Sequence, residues 1–304
     1  MIKLSVIITT FNSEETIQRL LNSLSSQEGI NNLFTLELLV IDDCSTDNTT
    51  TILRENNIPF FTTETNSQGP NKGRNIGLRE ATGDYICITD HDDEWKLDRI
   101  IKTLPYFYKH SIITSGFTVV DDVKKTEIHR VSKDTSDTGF VHYGINETFK
   151  QLLSKKATGQ NIYLGSIFLE KSLKNIFFEE VFGLVDFDWI LNLLHHQDSI
   201  EIKDSLYLRH VKNNNLSLNE RYRSCDFHFS LLTIDKYFDE YPCLVKKSYK
   251  KIHGSRARYY YLMNQMPRAR FYFLKSPINL KTVLFFITTF IGYGYVKRKF
   301  HFFG

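Results

Sequence analysis

The sequence predicts an α/β protein, a mostly parallel sheet with helices on both faces, followed by a C-terminal helical extension. Three observations carry this expectation. Short β-branched apolar runs alternate with stretches of helical periodicity through the first 110 residues or so, the spacing of strand-helix-strand units. Successive runs end in polar or acidic loops. Residues of the apolar and aromatic types make up 41% of the 304 positions, enough for a core in one large domain or two modest ones.

Taken in order, Leu4-Ser5-Val6-Ile7-Ile8 reads as a buried strand ended by Asn12-Ser13. Residues 14–27 follow with Ile17, Leu20, Leu21 and Leu24 on one helical face, and Ser13 is placed to cap them. Leu36-Glu37-Leu38-Leu39-Val40-Ile41 gives a second strand, closed by Asp42-Asp43-Cys44-Ser45-Thr46-Asp47, whose short polar side chains suit a turn and a cap. A weaker strand at residues 59–62 precedes a glycine-bearing loop into a helix over 71–81. The apolar run Tyr85-Ile86-Cys87-Ile88 is a fourth strand, and a helix is expected from about residue 96 to 108.

That fourth strand runs into Thr89-Asp90-His91-Asp92-Asp93-Glu94-Trp95. Carboxylates this close raise one another's pKa, so the cluster is costly unless a cation or water compensates it. Oxygen donors suit Mg²⁺ or Mn²⁺, and Mg²⁺ is commonly shared between one or two carboxylates and substrate phosphates. In a parallel sheet, ligands collect beyond the carboxyl ends of the strands. The loops Thr9-Thr10-Phe11-Asn12, Asp42-Asp43 and Asp90 to Asp93 all fall there. Between them, Gly69-Pro70-Asn71-Lys72-Gly73-Arg74-Asn75-Ile76-Gly77 brings two cations to a helix start, where a nucleobase or diphosphate could be met.

The net charge of +3 hides an asymmetry. After Glu240 there are 13 Lys and Arg and no acid, against 25 basic and 35 acidic side chains up to and including it. An acidic body with a basic tail marks a contact with an anionic surface. The cysteines, Cys44, Cys87, Cys225 and Cys243, are scattered without a C-x-x-C pair, so neither a zinc site nor a disulfide framework is expected, and a reducing cytoplasm fits. The apolar residues 1–10 lack a small-residue cleavage site and read as a strand rather than a signal peptide.

The series Ser5-Val6-Ile7-Ile8-Thr9-Thr10-Phe11-Asn12, Val40-Ile41-Asp42-Asp43-Cys44-Ser45-Thr46-Asp47, Gly73-Arg74-Asn75-Ile76-Gly77 and Ala81-Thr82-Gly83-Asp84-Tyr85-Ile86, leading into Asp90-His91-Asp92-Asp93, resembles the family 2 inverting glycosyltransferases of GT-A (Rossmann-like) fold. The likeness covers residues 1 to about 110 closely and weakens toward Leu218. It implies a nucleotide-diphosphosugar donor, most often a UDP-sugar, and a Mn²⁺ or Mg²⁺ ion. By motif position it implies Thr9, Phe11 and Asp43 at the uracil and ribose, Arg74 near the base or phosphate, Asp90 toward the ribose and Asp92 on the metal. His91 is then a bystander, and Asp93 with Glu94 shapes the turn.

Further on, Phe178-Glu179-Glu180-Val181-Phe182-Gly183-Leu184-Val185-Asp186-Phe187-Asp188-Trp189 resembles the segment that carries the family's general base. Val185 stands where a Glu is usual, and Asp186 keeps the base position, with Asp188 as its competitor. Leu206-Tyr207-Leu208-Arg209-His210-Val211 resembles a strand before a loop over the donor phosphates, so Arg209 or His210 could touch diphosphate or metal. Residues 161–170 are expected to line the acceptor side. The implied organisation is a glycosyltransferase domain over 1–216, with a nucleotide half at 1–110 and an acceptor half at 111–216, and a membrane-associating extension over 217–304.

That extension carries interleaved aromatics and cations such as Arg258-Tyr259-Tyr260-Tyr261 and Lys297-Arg298-Lys299-Phe300. Such a composition suits the interface of an anionic membrane, and the uncharged run 282–296 is too short to span one. The expected setting is the cytoplasmic face of the cell membrane, with a cell-surface glycan or lipid-linked acceptor; the acidic body argues against nucleic acid. Two other readings stay open: a sugar nucleotidyltransferase, and a catalytically idle sugar-nucleotide-binding or scaffold protein.

Overall fold

A computed structural model of the chain describes residues 1–156, 158–181, 186–211, 220–291 and 294. These fall into two compact units, one within Met1–Phe149 and Thr158–Arg223, the other within Lys150–Ala157 and Ser224–Gly304.

The first unit is built on a ten-stranded sheet. Its elements are β1 (Ile2–Thr10), α1 (Ile17–Ser25), β2 (Phe34–Asp42), α2 (Thr49–Glu55), β3 (Phe60–Thr62), α3 (Asn71–Glu80), β4 (Tyr85–Asp90), β5 (Glu94–Trp95), α4 (Arg99–Thr103), β6 (Ile112–Asp121), β7 (Thr126–Arg130), β8 (Phe140–Tyr143), α5 (Glu147–Leu153), β9 (Ile167–Glu170), α6 (Phe187–Leu194) and β10 (Ser199–Val211); α5 runs across into the second unit. The spatial order is β3-β2-β1-β4-β9-β6-β10-β5, with β7 beside β6 and β8 beside β10. The strands β3, β2, β1 and β4 are all parallel, β9 runs antiparallel between β4 and β6, and β6 and β10 are parallel again.

Strand β1 shows why helices lie on both faces. Side chains alternate along a strand. Leu4, Val6 and Ile8 join a core with Ile17, Leu20, Leu21 and Leu24 of α1. Ile7 points the other way, against α3, and a Cβ built at Gly77 would lie 2.4 Å from its Cγ2. Only a glycine lets α3 approach this closely, and that approach sets where Arg74, one turn earlier, emerges.

Two local expectations are corrected. Helix α1 begins at Ile17, and no side chain caps it; the carbonyl of Ser13 accepts from the backbone N–H groups of Thr16 and Ile17 at 3.0 Å, while the Ser13 hydroxyl donates to Phe11 O. The helix expected from about residue 96 to 108 is shorter: β5 ends at Trp95, the five-residue α4 starts only at Arg99, and a 3-10 turn at Leu104–Tyr106 ends it. Trp95 is buried and pairs with Tyr207 of β10, so the chain is still extended there, and Pro105 has no N–H to carry α4 onward.

The second unit is helical: α7 (Glu220–Asp235, whose first four residues belong to the first unit), α8 (Pro242–Leu262), α9 (Met266–Phe273) and α10 (Leu280–Thr288). Its core joins Ala257, Tyr260, Tyr261, Met266, Ala269, Phe273 and Phe285, with the rings of Phe273 and Phe285 stacked at 5.8 Å. Among the described residues, no helix is long and apolar enough to cross a membrane.

Candidate active site

The parallel register fixes which residues meet beyond the strand ends. Thr9 pairs with Ile41 on one side and Asp90 on the other, and Thr10 with Asp42. Thr9 is buried, whereas Phe11, next in the loop but one, is 45% exposed. Asp43 follows β2, where its carboxylate accepts from the Thr63 hydroxyl at 2.7 Å and the Ser67 amide at 3.0 Å. Asn12 and Cys44 both take positive φ, 48° and 62°, and the Asn12 side chain accepts from the Thr46 amide, so the first two loops brace each other.

Arg74 is buried, and its guanidinium bonds Asp90 Oδ1 at 2.9 Å and Asn71 Oδ1 at 3.1 Å while lying over the Phe178 ring. Asp90 Oδ2 accepts from the Tyr163 hydroxyl at 3.2 Å. Burial alone would raise the Asp90 carboxyl, but the Arg74 cation outweighs it and holds the group below the usual carboxylate range. Asp92 has the opposite balance: burial and the Asp90 charge push it up against the opposing pull of His91. Arg19 donates to the Asp92 carbonyl, but among the described residues no side chain donates to its carboxylate. His91 is hydrogen-bonded to Thr16 at 3.1 Å.

Asp93 does more than shape a turn, which corrects the expectation for it. It is 1% exposed. Its Oδ2 accepts from the hydroxyls of Tyr163 at 2.8 Å and Tyr207 at 2.7 Å, and its Oδ1 from the His210 amide at 2.9 Å. Burial, then the charges of Asp92 and Asp90, push this carboxyl well above its ordinary value. Asp93 thus ties the end of β4 to β10. Tyr207 is seated by Gly165, where a Cβ would fall 2.2 Å from the ring, and by Arg99, whose fully buried guanidinium stacks on Trp95, Phe168 and Tyr207 at 4.0 to 4.9 Å.

The His210 ring is engaged by two other acids: Nδ1 lies 3.0 Å from Asp122 Oδ1, and Nε2 lies 3.5 Å from Glu94 Oε2. Nε2 is buried without a hydrogen-bond partner among the described residues. Arg209 lies over the Tyr163 ring at 4.8 Å. Burial lowers its pKa, but Tyr163 and the charges of Asp93, Asp90 and Asp186 raise it overall, which puts Asp186 in electrostatic range of the same cation.

Asp186 precedes the first turn of α6, half-buried, and its carbonyl accepts from the Ile190 amide. Asp188 is buried in that helix, 3.4 Å from the Asn192 amide nitrogen. Val185, with residues 182–184, lies outside the described residues, as do residues 212–215 after β10. The segment before that gap is pinned to α3: Asn71 Nδ2 donates to Glu179 O, and Asn75 exchanges hydrogen bonds with the backbone of Phe178 at 2.9 and 2.8 Å. Phe178 in turn stacks on Trp189 at 4.5 Å. One helix therefore positions both Arg74 and the segment leading to Asp186.

Sequence reasoning overlooked Tyr163, Tyr207 and Asp122. The alternation along β10 could have flagged Tyr207 as inward-facing; nothing in the sequence ties Tyr163 to Asp90.

A parallel sheet half with acids and an arginine at its carboxyl edge, joined through β9 to a second half, is the architecture of a GT-A glycosyltransferase. Residues 5–177 match the family described as "Glycosyl transferase family 2", more than half of the chain, and the chain belongs to that family. Among curated relatives, it is 44% identical over 97 residues to the poly(ribitol-phosphate) beta-N-acetylglucosaminyltransferase TarS of Staphylococcus aureus, which covers 31% of this chain and 17% of that protein. The match thus spans well under two thirds of that relative. The crystal structure of S. aureus TarS 1-349 in complex with UDP superposes with a TM-score of 0.62 at 20% identity, over 98% of this chain and 93% of that one. The mannosyltransferase PcManGT from Pyrobaculum calidifontis, in complex with GDP-Man and Mn²⁺, superposes with a TM-score of 0.60 at 16% identity, over 99% of this chain and 81% of that one. At these identities the two structures establish the fold.

Proposed function

We propose that this chain transfers a sugar from a nucleotide-diphosphosugar, a UDP-sugar, to a hydroxyl of a cell-surface glycan or lipid-linked acceptor, with inversion at the anomeric carbon. The observation that carries the reading is the arrangement of Arg74, Asp90 and Tyr163 at the parallel strand ends, next to an Asp92 carboxylate that no described side chain satisfies. The sequence likeness to TarS, whose structures hold UDP and UDP-GlcNAc, favours uridine.

In this reading Thr9, Phe11 and Asp43 receive the uracil and ribose, with the exposed Phe11 ring offering a stacking face. Asp90, oriented by Arg74 and Tyr163, faces the ribose. Asp92 fits a divalent cation because its carboxylate lies among other acids and no described side chain donates a hydrogen bond to it. The buried Nε2 of His210, 3.5 Å from Glu94 and without a hydrogen bond among the described residues, is a second fitting donor, with Nδ1 fixed by Asp122. A Mn²⁺ or Mg²⁺ ion held there would supply positive charge to the departing diphosphate. Arg209 adds a fixed cation on the same side.

An acceptor hydroxyl has a pKa far above 7, so its proton must leave as its oxygen attacks. Asp186 takes that proton. The new carbon–oxygen bond forms opposite the breaking bond to the diphosphate oxygen, and the configuration inverts in one displacement. Asp188, buried within its helix, is the poorer candidate. The extension meets the anionic cytoplasmic face of the cell membrane and holds the chain near a lipid-linked acceptor, a setting supported by the excess of cations after Glu240.

The test is Asp186→Asn. It should bind UDP as the unaltered chain does and lose transfer by about 10²- to 10⁴-fold, read by titration and by released UDP. Full transfer in the variant would refute the base assignment. An unaltered chain that binds UDP-sugar with Mn²⁺ but never transfers it would favour the idle scaffold.

A further inference from the structure

Among the described residues of the second unit, α10 presents an exposed apolar face. One side of α10 is buried through Phe285 and Thr289, with Phe285 against Tyr261 and Phe273. The opposite side presents Leu280, Val283, Leu284 and Ile287, and the turn that follows adds Phe290 and Ile291, each between 41 and 76% exposed. Their spacing of three, four and seven residues makes one continuous stripe. Contiguous exposed apolar surface of this kind marks a contact with a partner or a membrane.

We infer that this stripe is the element that inserts into an anionic lipid surface, resting on the membrane contact proposed above and naming the residues that make it. Charge chooses the occupant. The 64 residues after Glu240, which include α8, α9 and α10, carry 13 Lys and Arg and no acid; the acids of the unit, Asp226, Asp235, Asp239 and Glu240, all precede them. The cations beside the stripe hold their charged ends over aromatic rings: Lys275 Nζ lies 4.2 Å over the exposed Phe271, and the Arg270 guanidinium lies 4.8 Å over Phe290 while donating to Thr289 O. Such contacts set positive charge directly beside exposed apolar and aromatic surface, the combination an anionic membrane interface takes. At nine residues, about 14 Å long, α10 can lie in the interface but not cross the hydrocarbon. A protein partner with an apolar groove would not require the all-cationic surround.

The experiment is co-sedimentation of the full chain with vesicles of phosphatidylcholine alone or with phosphatidylglycerol added, and UDP binding is measured on the same samples. The unaltered chain should sediment with the anionic vesicles and scarcely with the neutral ones. A Leu280→Gln, Leu284→Gln, Ile287→Gln variant should lose at least about tenfold in partitioning with an unchanged circular dichroism spectrum and unchanged UDP affinity. A Lys275→Gln, Lys281→Gln variant should lose about tenfold and show a weaker salt dependence. If the unaltered chain ignores anionic vesicles, the membrane contact and this inference both fall. If it binds and the triple variant binds equally, only the stripe is refuted. A dimer that the triple variant splits, with vesicle binding unchanged, also refutes it.

Discussion

Removing the two hydroxyls that meet on Asp93 tests whether β4 and β10 are joined as described. Asp93 Oδ2 accepts from Tyr163 at 2.8 Å and Tyr207 at 2.7 Å within a site only 1% exposed. Tyr163→Phe or Tyr207→Phe deletes one donor and leaves the other, so each should cost about 1–2 kcal/mol, the net worth of a buried hydrogen bond. The double variant leaves Oδ2 with neither donor. The full desolvation penalty then appears, about 1–3 kcal/mol beyond the sum of the singles. Both tryptophans, Trp95 and Trp189, lie in the first unit. Their emission during urea unfolding therefore follows that unit without contribution from the helical one. Equilibrium midpoints and slopes for the four proteins give the coupling directly. Single losses that add within about 0.5 kcal/mol would show that the hydroxyls do not share the carboxylate, and the joint would be refuted.

Two further outcomes follow from the same geometry. Gly77→Ala places a methyl 2.4 Å from Ile7 Cγ2, so it should cost about 1–3 kcal/mol by overpacking, and Ile7→Ala should recover part of that loss relative to its own background; a neutral Gly77→Ala would refute the close approach of α3. Burial raises the Glu37 carboxyl, but hydrogen bonds from Lys3, Ser5 and Thr82 outweigh it and bring it from 4.5 down to about 2. A depressed carboxyl contributes stability above its unfolded pKa and loses it as the pH falls through the folded one. The stability gap between the unaltered chain and Glu37→Gln, measured by urea unfolding, should therefore be constant above pH 5 and shrink between about 4.5 and 2; a gap independent of pH would refute the pairing.

Much of the first half was legible from residue order. The β-branched runs of β1, β2 and β4 have few ways to bury themselves, and a right-handed crossover through amphipathic α1 leaves one parallel arrangement. Parallel register then puts Thr9 beside Asp90 and Thr10 beside Asp42 without any knowledge of side-chain contacts. Local periodicity misled at residues 96–108, because Trp95 is held extended by a strand more than a hundred residues away and a local pattern carries no trace of that partner.

The sequence by itself determined the strand-helix alternation, the acid cluster at a strand end, an Arg-bearing helix start, and the basic tail. Each depends on short-range patterns or on counts. Only the tertiary structure decided what the acids do. Asp90 and Asp93 are three residues apart, at the end of β4 and just beyond it, yet one is held low by Arg74 and the other pushed high by burial. Their partners, Tyr163 and Tyr207, arrive from β9's approach and from β10. A carboxylate's role is set by the dielectric and the donors around it, and those come from strands brought together by folding rather than from its neighbours in the chain.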